Sequence, residues 1–352
     1  MEKTNVITAI KKILEEKHLH REEAANIMKE IMSGKVSNAQ LGAFLTALKI
    51  KGETIEEVTG FAEAMRMFAK QINPEVKGKL LDTCGTGGDK IKTFNISTIS
   101  AFVVAGGGVS VAKHGNRAVT SNCGSADLLE GLGVNINLEP KQVKNCIEKT
   151  GIGFMFAPLF HPAMKHAMPT RRELKIRTVF NILGPLTNPA NAQCHVLGVF
   201  DKTLTKLMAN VLGNGLQAKH IFSVHNSCGV DELVPMGINY ITEYQSGKVK
   251  NYAKTNEDFG IPLCNVKDLR PDSVKENLKI AVKILKNEMR GPKYNTILMN
   301  TALAFQSANM ASDILEGMEI AENSIKSGNA YKKLEQLIEV SDGDMQKLVQ
   351  IV

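Results

Sequence analysis

The sequence predicts an α/β protein with a small all-helical N-terminal domain and a larger α/β domain carrying a mainly parallel central sheet. Three observations predict it. The chain has 352 residues, long enough for two cores. Up to Ile72 the apolar residues recur at helical spacing. Beyond Asn73-Pro74-Glu75-Val76-Lys77-Gly78, short Val/Ile/Leu runs alternate with helical patterns. The division therefore falls into residues 1–72 and 73–352.

Val6, Ile7, Ile10, Ile13 and Leu14 mark a first helix, and a second spans Glu22 to Met32, before Gly34. Ser37-Asn38 caps a third through Leu41, Phe44 and Leu48, and Thr54-Ile55-Glu56-Glu57 opens a fourth. Strands are expected at Lys79–Thr83, Val109–Lys113 and Val134–Leu138, with helices at Thr98–Ala105 and Ala126–Leu132 between them. This alternation implies right-handed crossovers and a parallel sheet. Later strands are expected at His195–Phe200, His220–Val224 and Thr296–Asn300. Residues 162–191 break the alternation with a basic helical run and Gly184-Pro185 and Asn188-Pro189, which suits a rigid connector packing near the helical domain.

The net charge is +7, yet aromatic residues make up only 5%, and no basic run is interleaved with them. The stacking platform of a single-strand binder is absent, so no nucleic-acid partner is expected. Lys248, Lys250, Lys254, Lys275, Lys279, Lys283 and Lys286 read as solvated helix faces. Six cysteines, none in a CxxC pair, favour a reducing cytoplasm over a disulfide framework. No apolar run is long enough to span a membrane.

The densest signal is Asp82-Thr83-Cys84-Gly85-Thr86-Gly87-Gly88-Asp89, followed by Thr93-Phe94-Asn95-Ile96-Ser97-Thr98. A strand ends in glycines and a helix begins behind capping side chains. Glycines let backbone N–H groups approach an anion, and the helix start adds orphan donors. This reads as a phosphate cradle, although a plain capped turn uses the same residues. It matches neither GxxxxGK[ST] nor GxGxxG. At the end of the next strand, Lys113-His114-Gly115-Asn116-Arg117-Ala118-Val119-Thr120-Ser121 supplies a point charge, a planar fork and hydroxyls, which suits a pyrophosphate. Ser125 is a further donor or an N-cap. Asp231-Glu232, beyond an apolar strand, suits Mg²⁺ in a loop, and is equally a common surface pair. Arg171-Arg172, behind His161-Pro162, could read a carboxylate or form a basic helix face. His225 and Cys228 lack a second ligand pair, and no nucleophile motif occurs.

Taken together these segments resemble the anthranilate phosphoribosyltransferase family, of the nucleoside phosphorylase-like phosphoribosyltransferase fold. The resemblance runs from the helical N-terminus to Gly328-Asn329-Ala330-Tyr331. Pyrimidine nucleoside phosphorylases share the glycine loop, Lys113–Arg117 and Arg177–Pro189 more loosely. The spacing of Asn95-Ile96-Ser97-Thr98, His161-Pro162-Ala163-Met164 and Asp231-Glu232 favours the transferase. A non-catalytic relative binding phosphorylated ligands or nucleic acid is the alternative of a different class.

The resemblance implies that Gly85, Gly88, Asp89, Thr93, Asn95, Ile96, Ser97, Thr98, Lys113 and Ser125 contact phosphoribosyl pyrophosphate, with the loop His114–Ser121 closing over it. It implies Mg²⁺, two ions, on Ser97, Asp231 and Glu232. It places anthranilate against Gly85, Asn116, His161 and Arg171, with Arg171 reading the carboxylate, and it implies no covalent nucleophile. It further implies a homodimer through the helical domain, for which Leu41, Phe44 and Leu48 are either contacts or core. The run Val224–Glu232 is one residue longer than the family pattern.

Overall fold

The computed structural model describes residues 5–88, 91–118 and 123–351. Four helices come first: α1 (Val6–Leu14), α2 (Arg21–Met32), α3 (Asn38–Lys51) and α4 (Ile55–Met67). Their starts are set by capping boxes. Ser37 accepts the Gln40 N–H at 3.3 Å, and Thr54 accepts that of Glu57 at 3.3 Å. Leu41, Phe44 and Leu48 are buried in the core that this lobe shares with the later part of the chain.

The second part begins with β1 (Leu80–Gly85), α5 (Ile96–Gly106), β2 (Ser110–Gly115), α6 (Ser125–Gly131), α7 (Pro140–Thr150) and β3 (Ile152–Phe156). A connector of short helices follows: α8 (Ala157–Phe160), α9 (Met168–Leu174) and α10 (Phe180–Leu183). Then come β4 (Cys194–Gly198), α11 (Thr203–Asn210), β5 (His220–Asn226), β6 (Asn239–Gln245) and β7 (Lys248–Lys254). The chain ends in α12 (Val266–Leu269), α13 (Val274–Leu285), α14 (Pro292–Ser307), α15 (Ile314–Lys326), α16 (Asn329–Val340) and α17 (Met345–Ile351).

Among the described residues one sheet holds the strands in the order β3-β2-β1-β4-β5-β6-β7. The first five are parallel, and β6 and β7 add an antiparallel edge. Strand β4 divides two cores by its alternation. Cys194 and Val196 join the core beneath α5 and α14, whereas Leu197 and Val199 join the core of α1–α4, the connector and α11. The helical lobe and one face of the sheet are thus packed as one apolar body.

Three sequence expectations are corrected. Val134–Leu138 alternates buried and open residues but is not a strand. Its amides are taken up locally and at a distant helix end: Val134 donates to Leu129 O at 2.9 Å and Asn135 to Ser341 Oγ at 3.2 Å. The third strand is Ile152–Phe156 instead. Thr296–Asn300 lies inside helix α14, with Pro292 in its first turn. That helix is buried nearly all round, so it shows no polar face to betray its period. Lys248, Lys250 and Lys254 lie not on a helix but on edge strand β7, where lysines discourage further strand pairing. The hairpin turn Ser246-Gly247 has φ of +49° and +84°, the geometry of a type I′ turn.

The connector is fastened to the sheet by a buried amide. Asn188, fully buried, donates to Asp82 Oδ2 at 2.7 Å and to Ala112 O at 2.8 Å. Arg66 of α4 donates to Leu186 O at 2.9 Å from the other side. Asn188→Ala would leave the Asp82 carboxylate short of a donor and is expected to cost about 1–3 kcal/mol in urea denaturation.

Candidate active site

The sheet directs the carboxyl ends of β1, β2, β4 and β5 to one edge, and the candidate residues collect there. Strand β1 delivers the glycine loop. Thr86 donates to Gly198 O at 2.9 Å, and its Oγ1 accepts the Phe200 N–H at 3.0 Å. Gly87 donates its N–H to Asp231 Oδ2 at 2.9 Å. Gly85 and Gly198 are glycines for reasons of space. A Cβ on Gly85 would stand 2.7 Å from Asp231 Oδ2, and one on Gly198 would stand 1.5 Å from Asp231 O. Asp231 therefore lies directly over the ends of β1 and β4.

Before Asp231 the chain makes a closed turn. Asn226 and Val230 bridge, Gly229 donates to Asn226 O at 2.8 Å, and Asn226 Oδ1 accepts the Cys228 N–H at 2.9 Å. The turn returns the chain, so the acidic pair still reaches the glycine loop.

Strand β2 delivers Lys113, which is buried. Its Nζ donates to Thr83 O at 2.5 Å and to Ser97 Oγ at 3.3 Å. Burial pushes the ammonium down, and Asp82, Cys84 and Glu232 push it back up. Burial also raises Asp82, opposed first by Lys113. Cys84 is held well above the ordinary thiol range by burial and by Asp82, which removes it as a nucleophile.

Thr98 and Ile96 are buried in the first turn of α5, behind Ser97. Thr93, Asn95 and Gly88 border the same loop. Asp89, Val119, Thr120 and Ser121 lie outside the described residues.

Past Lys113 the chain turns towards His161 of the connector. The rings of His114 and His161 lie 5.0 Å apart. Burial pushes His114 down to about 3, aided by His161, and His161 down to about 4. The Nε2 atom of each is buried and unpartnered among the described residues. Arg171 of α9 is half-buried, stacked over Phe180 at 5.3 Å and donating to Met168 Sδ at 3.8 Å. Among the described residues no carboxylate pairs with it.

Arg117 is turned away from the cradle. It pairs with Asp127 at 3.0 Å and Glu130 at 2.7 Å, and it lies over Phe156. Asn116 Oδ1 accepts the Arg117 N–H, and its carbonyl accepts from Ser125 Oγ at 3.3 Å. Ser125 stands inside α6, with Gly124 at the cap position.

Sequence reasoning missed two residues here. Asp127 accepts the N–H groups of both Ala118 and Gly124 at 2.9 Å, clamping the two stems of the loop. Arg177 donates to Gly88 O at 2.5 Å while stacked 4.2 Å over Phe200, joining the connector to the glycine loop. Asp127, at the third position of its helix behind Gly124, had a capping signal; Arg177 had none.

The ligand set suits a hard cation. Among the described residues no three His, Cys, Asp or Glu side chains converge. Asp231, Glu232 and the Ser97 hydroxyl are oxygen donors of the kind Mg²⁺ takes, an ion that completes its sphere with water and phosphate oxygens.

Comparison with known proteins identifies the family. Residues 77–331 match the glycosyl transferase family a/b domain, and residues 7–69 its helical bundle domain. The anthranilate phosphoribosyltransferase of Acetivibrio thermocellus is 50% identical over 95% of this chain and 96% of its own. That of Chloroflexus aurantiacus is 48% identical over 97% of this chain and 100% of its own. The chain belongs to the anthranilate phosphoribosyltransferase family. Among solved structures, the enzyme of Thermus thermophilus superposes with a TM-score of 0.89 at 41% identity, covering 95% of this chain and 99% of the other. The Saccharomyces cerevisiae enzyme in complex with PRPP and Mg superposes with a TM-score of 0.87 at 29% identity, covering 96% and 98%. The phosphorylase and the non-catalytic alternative are not favoured by these relatives.

Both histidine values lie below the ordinary imidazole value of about 6.5, so the unfolded chain binds protons first as pH falls. Their contribution to stability is complete above about pH 6.5 and is lost as pH falls towards 4 for His161 and 3 for His114. In NMR titration from about pH 8 to about pH 5 the two imidazoles are expected to stay neutral; an inflection near the ordinary value would contradict this burial.

Proposed function

We propose that the chain transfers the 5-phosphoribosyl group from phosphoribosyl pyrophosphate to the amine of anthranilate, giving N-(5-phosphoribosyl)anthranilate and pyrophosphate in tryptophan biosynthesis. The observation that carries this reading is the gathering of Lys113, Ser97, Asp231 and Glu232 at the glycine loop. A buried cation beside two carboxylates is built for a polyanion that arrives with a divalent metal.

In this reading Gly85, Gly88, Asp89, Thr93, Asn95, Ile96, Ser97, Thr98, Lys113 and Ser125 bind the donor, and the loop of residues 114–121 closes over it. Ser97, Asp231 and Glu232 would hold Mg²⁺, as two ions, which when bound would supply positive charge for the pyrophosphate. Lys113 and the loop amides hold the same oxygens by charge-assisted and backbone hydrogen bonds. The anthranilate carboxylate pairs with Arg171, which supplies an otherwise unmatched cation. Gly85, Asn116 and His161 line the acceptor's approach to the sugar carbon. The aniline nitrogen is uncharged at neutral pH, so the carbon–nitrogen bond forms as the bond to pyrophosphate breaks, and the nitrogen's surplus proton, now strongly acidic, passes to water or to the released pyrophosphate without a strong base. The neutral His114 and His161 keep a competing positive charge away from the oxocarbenium-like sugar. Catalysis rests on positioning and leaving-group stabilisation.

We also propose residues 1–72 as a helical domain and 73–352 as the donor-binding domain, a homodimer, and a cytoplasmic location without nucleic-acid or membrane partners. No helix among the described residues is long and apolar enough to cross a membrane.

Loss of anthranilate fluorescence with protein, phosphoribosyl pyrophosphate and Mg²⁺ all present tests the reaction; fluorescence that stays constant with donor bound would refute it. Arg171→Ala is expected to raise the anthranilate KM by about tenfold or more while the donor KM changes little, the scale of one charge-assisted hydrogen bond. An equal effect on both substrates would remove the assignment. Asp231→Asn is expected to lower kcat and raise the Mg²⁺ concentration at half-maximal rate; an unchanged Mg²⁺ dependence would exclude Asp231 as a ligand.

A further inference from the structure

Asn95 stands at the N-cap of α5, yet its side chain does not cap that helix. It is held from a distant part of the chain. Asn277 Nδ2 donates to Asn95 Oδ1 at 2.6 Å, and Asn277 Oδ1 accepts the Asn95 backbone N–H at 3.2 Å. Asn95 Nδ2 in turn donates to Cys123 O at 3.1 Å. Asn277 lies on α13, which packs against α5 and α6, and it is 2% exposed.

The arrangement is reciprocal, and this fixes orientation. Turning the Asn277 amide would oppose two N–H groups at Asn95 N and two oxygens at Asn95 Oδ1. Turning the Asn95 amide would set its oxygen against Cys123 O. A buried side chain amide is costly unless its hydrogen bonds are made, and an apolar residue would fill this helix face as well. The polar contacts join three separated segments: α13, the entry to α5, and the backbone where the loop after Asn116 returns to α6.

We infer that Asn277 is a positioning residue for the phosphoribosyl donor. It aims the Asn95 amide and, through it, holds the return of the loop at Cys123 against the start of α5. The inference rests on the reading of Asn95 as a donor contact. One N–H of the Asn95 amide goes to Cys123 O, so the other can be directed by the same two anchors.

The test uses the full chain at saturating Mg²⁺, with KM for both substrates followed by anthranilate fluorescence and folding followed by thermal melting. Asn277→Ala and Asn277→Asp are each made alone and in an Asn95→Ala background. The aspartate still accepts the Asn95 N–H, so it keeps the backbone contact should the alanine variant fail to fold. It offers no donor to Asn95 Oδ1, so the amide turns and loses Cys123. The expected result for Asn277→Asp is a rise in donor KM of about fivefold to tenfold, with anthranilate KM within about twofold. In the Asn95→Ala background the same change should add less than about twofold, because the amide it aims is gone. An equal rise in both KM values would reduce Asn277 to a structural role and overturn the inference. A full rise that persists without the Asn95 amide would assign the effect to the introduced charge and overturn it equally. Asn95→Ala with an unchanged donor KM is a different failure, since it removes Asn95 itself from the donor site.

Discussion

An ammonium group withdrawn from water loses hydration worth several kcal/mol even after the protein relaxes around it, and Lys113 places one at the end of β2. Much of the site follows from that constraint. Thr83 O and Ser97 Oγ take two of its hydrogens. Asp82 supplies the nearest compensating charge from inside the sheet, and Glu232 adds more from the loop after β5. Asp82 then needs donors of its own, and it takes them from Asn188 and from the His114 N–H. The connector is thus drawn onto the sheet by the same charge that the donor's phosphates are proposed to meet. Buried charges set against one another in this way are weak evidence for stability. Its placement beneath a glycine loop makes more sense as a prepared field, directed at charge that develops only during the reaction.

The carboxylates reach this field because the backbone makes room for them. Gly85 and Gly198 lie at paired positions on neighbouring parallel strands, and both are crowded by Asp231. Two side chains missing at one end of a sheet create a shallow notch, and the loop after β5 settles into it. The register of β1 against β4 therefore decides where Asp231 stands. The turn from Asn226 to Val230 closes on itself before Asp231 is reached, which brings the chain back over the notch.

The sequence revealed those parts of the molecule whose cause is local. The capped helices of the first lobe, the glycine loop and strands β1, β2, β4 and β5 announce themselves by period, punctuation or composition. The misreadings have local causes as well. Helix α14 is surrounded by apolar neighbours and loses its polar stripe, so its middle imitates a strand. Val134–Leu138 has the alternation of a strand but gives its hydrogen bonds to helix ends. What no local pattern contains is the pairing of residues across long separations. Asn188 with Asp82, Asn277 with Asn95, and Arg177 with Gly88 are polar contacts between segments whose meeting depends on the whole fold. A single sequence displays each partner as an ordinary loop or helix residue.

Those long-range contacts also bear on how two substrates can be held in one relation. The residues assigned to the donor come from strand ends of the sheet, whereas Arg171 belongs to the connector. Were these parts to move independently, the distance between amine and sugar carbon would vary with them, and small misplacements cost large factors in rate. Arg177 narrows that freedom, since it follows α9 directly, grips Gly88 O and rests on Phe200, whose own N–H is bound by Thr86. Asn188 fixes the far end of the connector to β1 and β2. The connector is thus tied at its middle and at its far end to the strand ends that carry the proposed donor loops. The arginine proposed to read the acceptor is mounted on the same frame as the glycine loop, although nearly ninety residues of chain, about the separation of Gly85 and Arg171, lie between them.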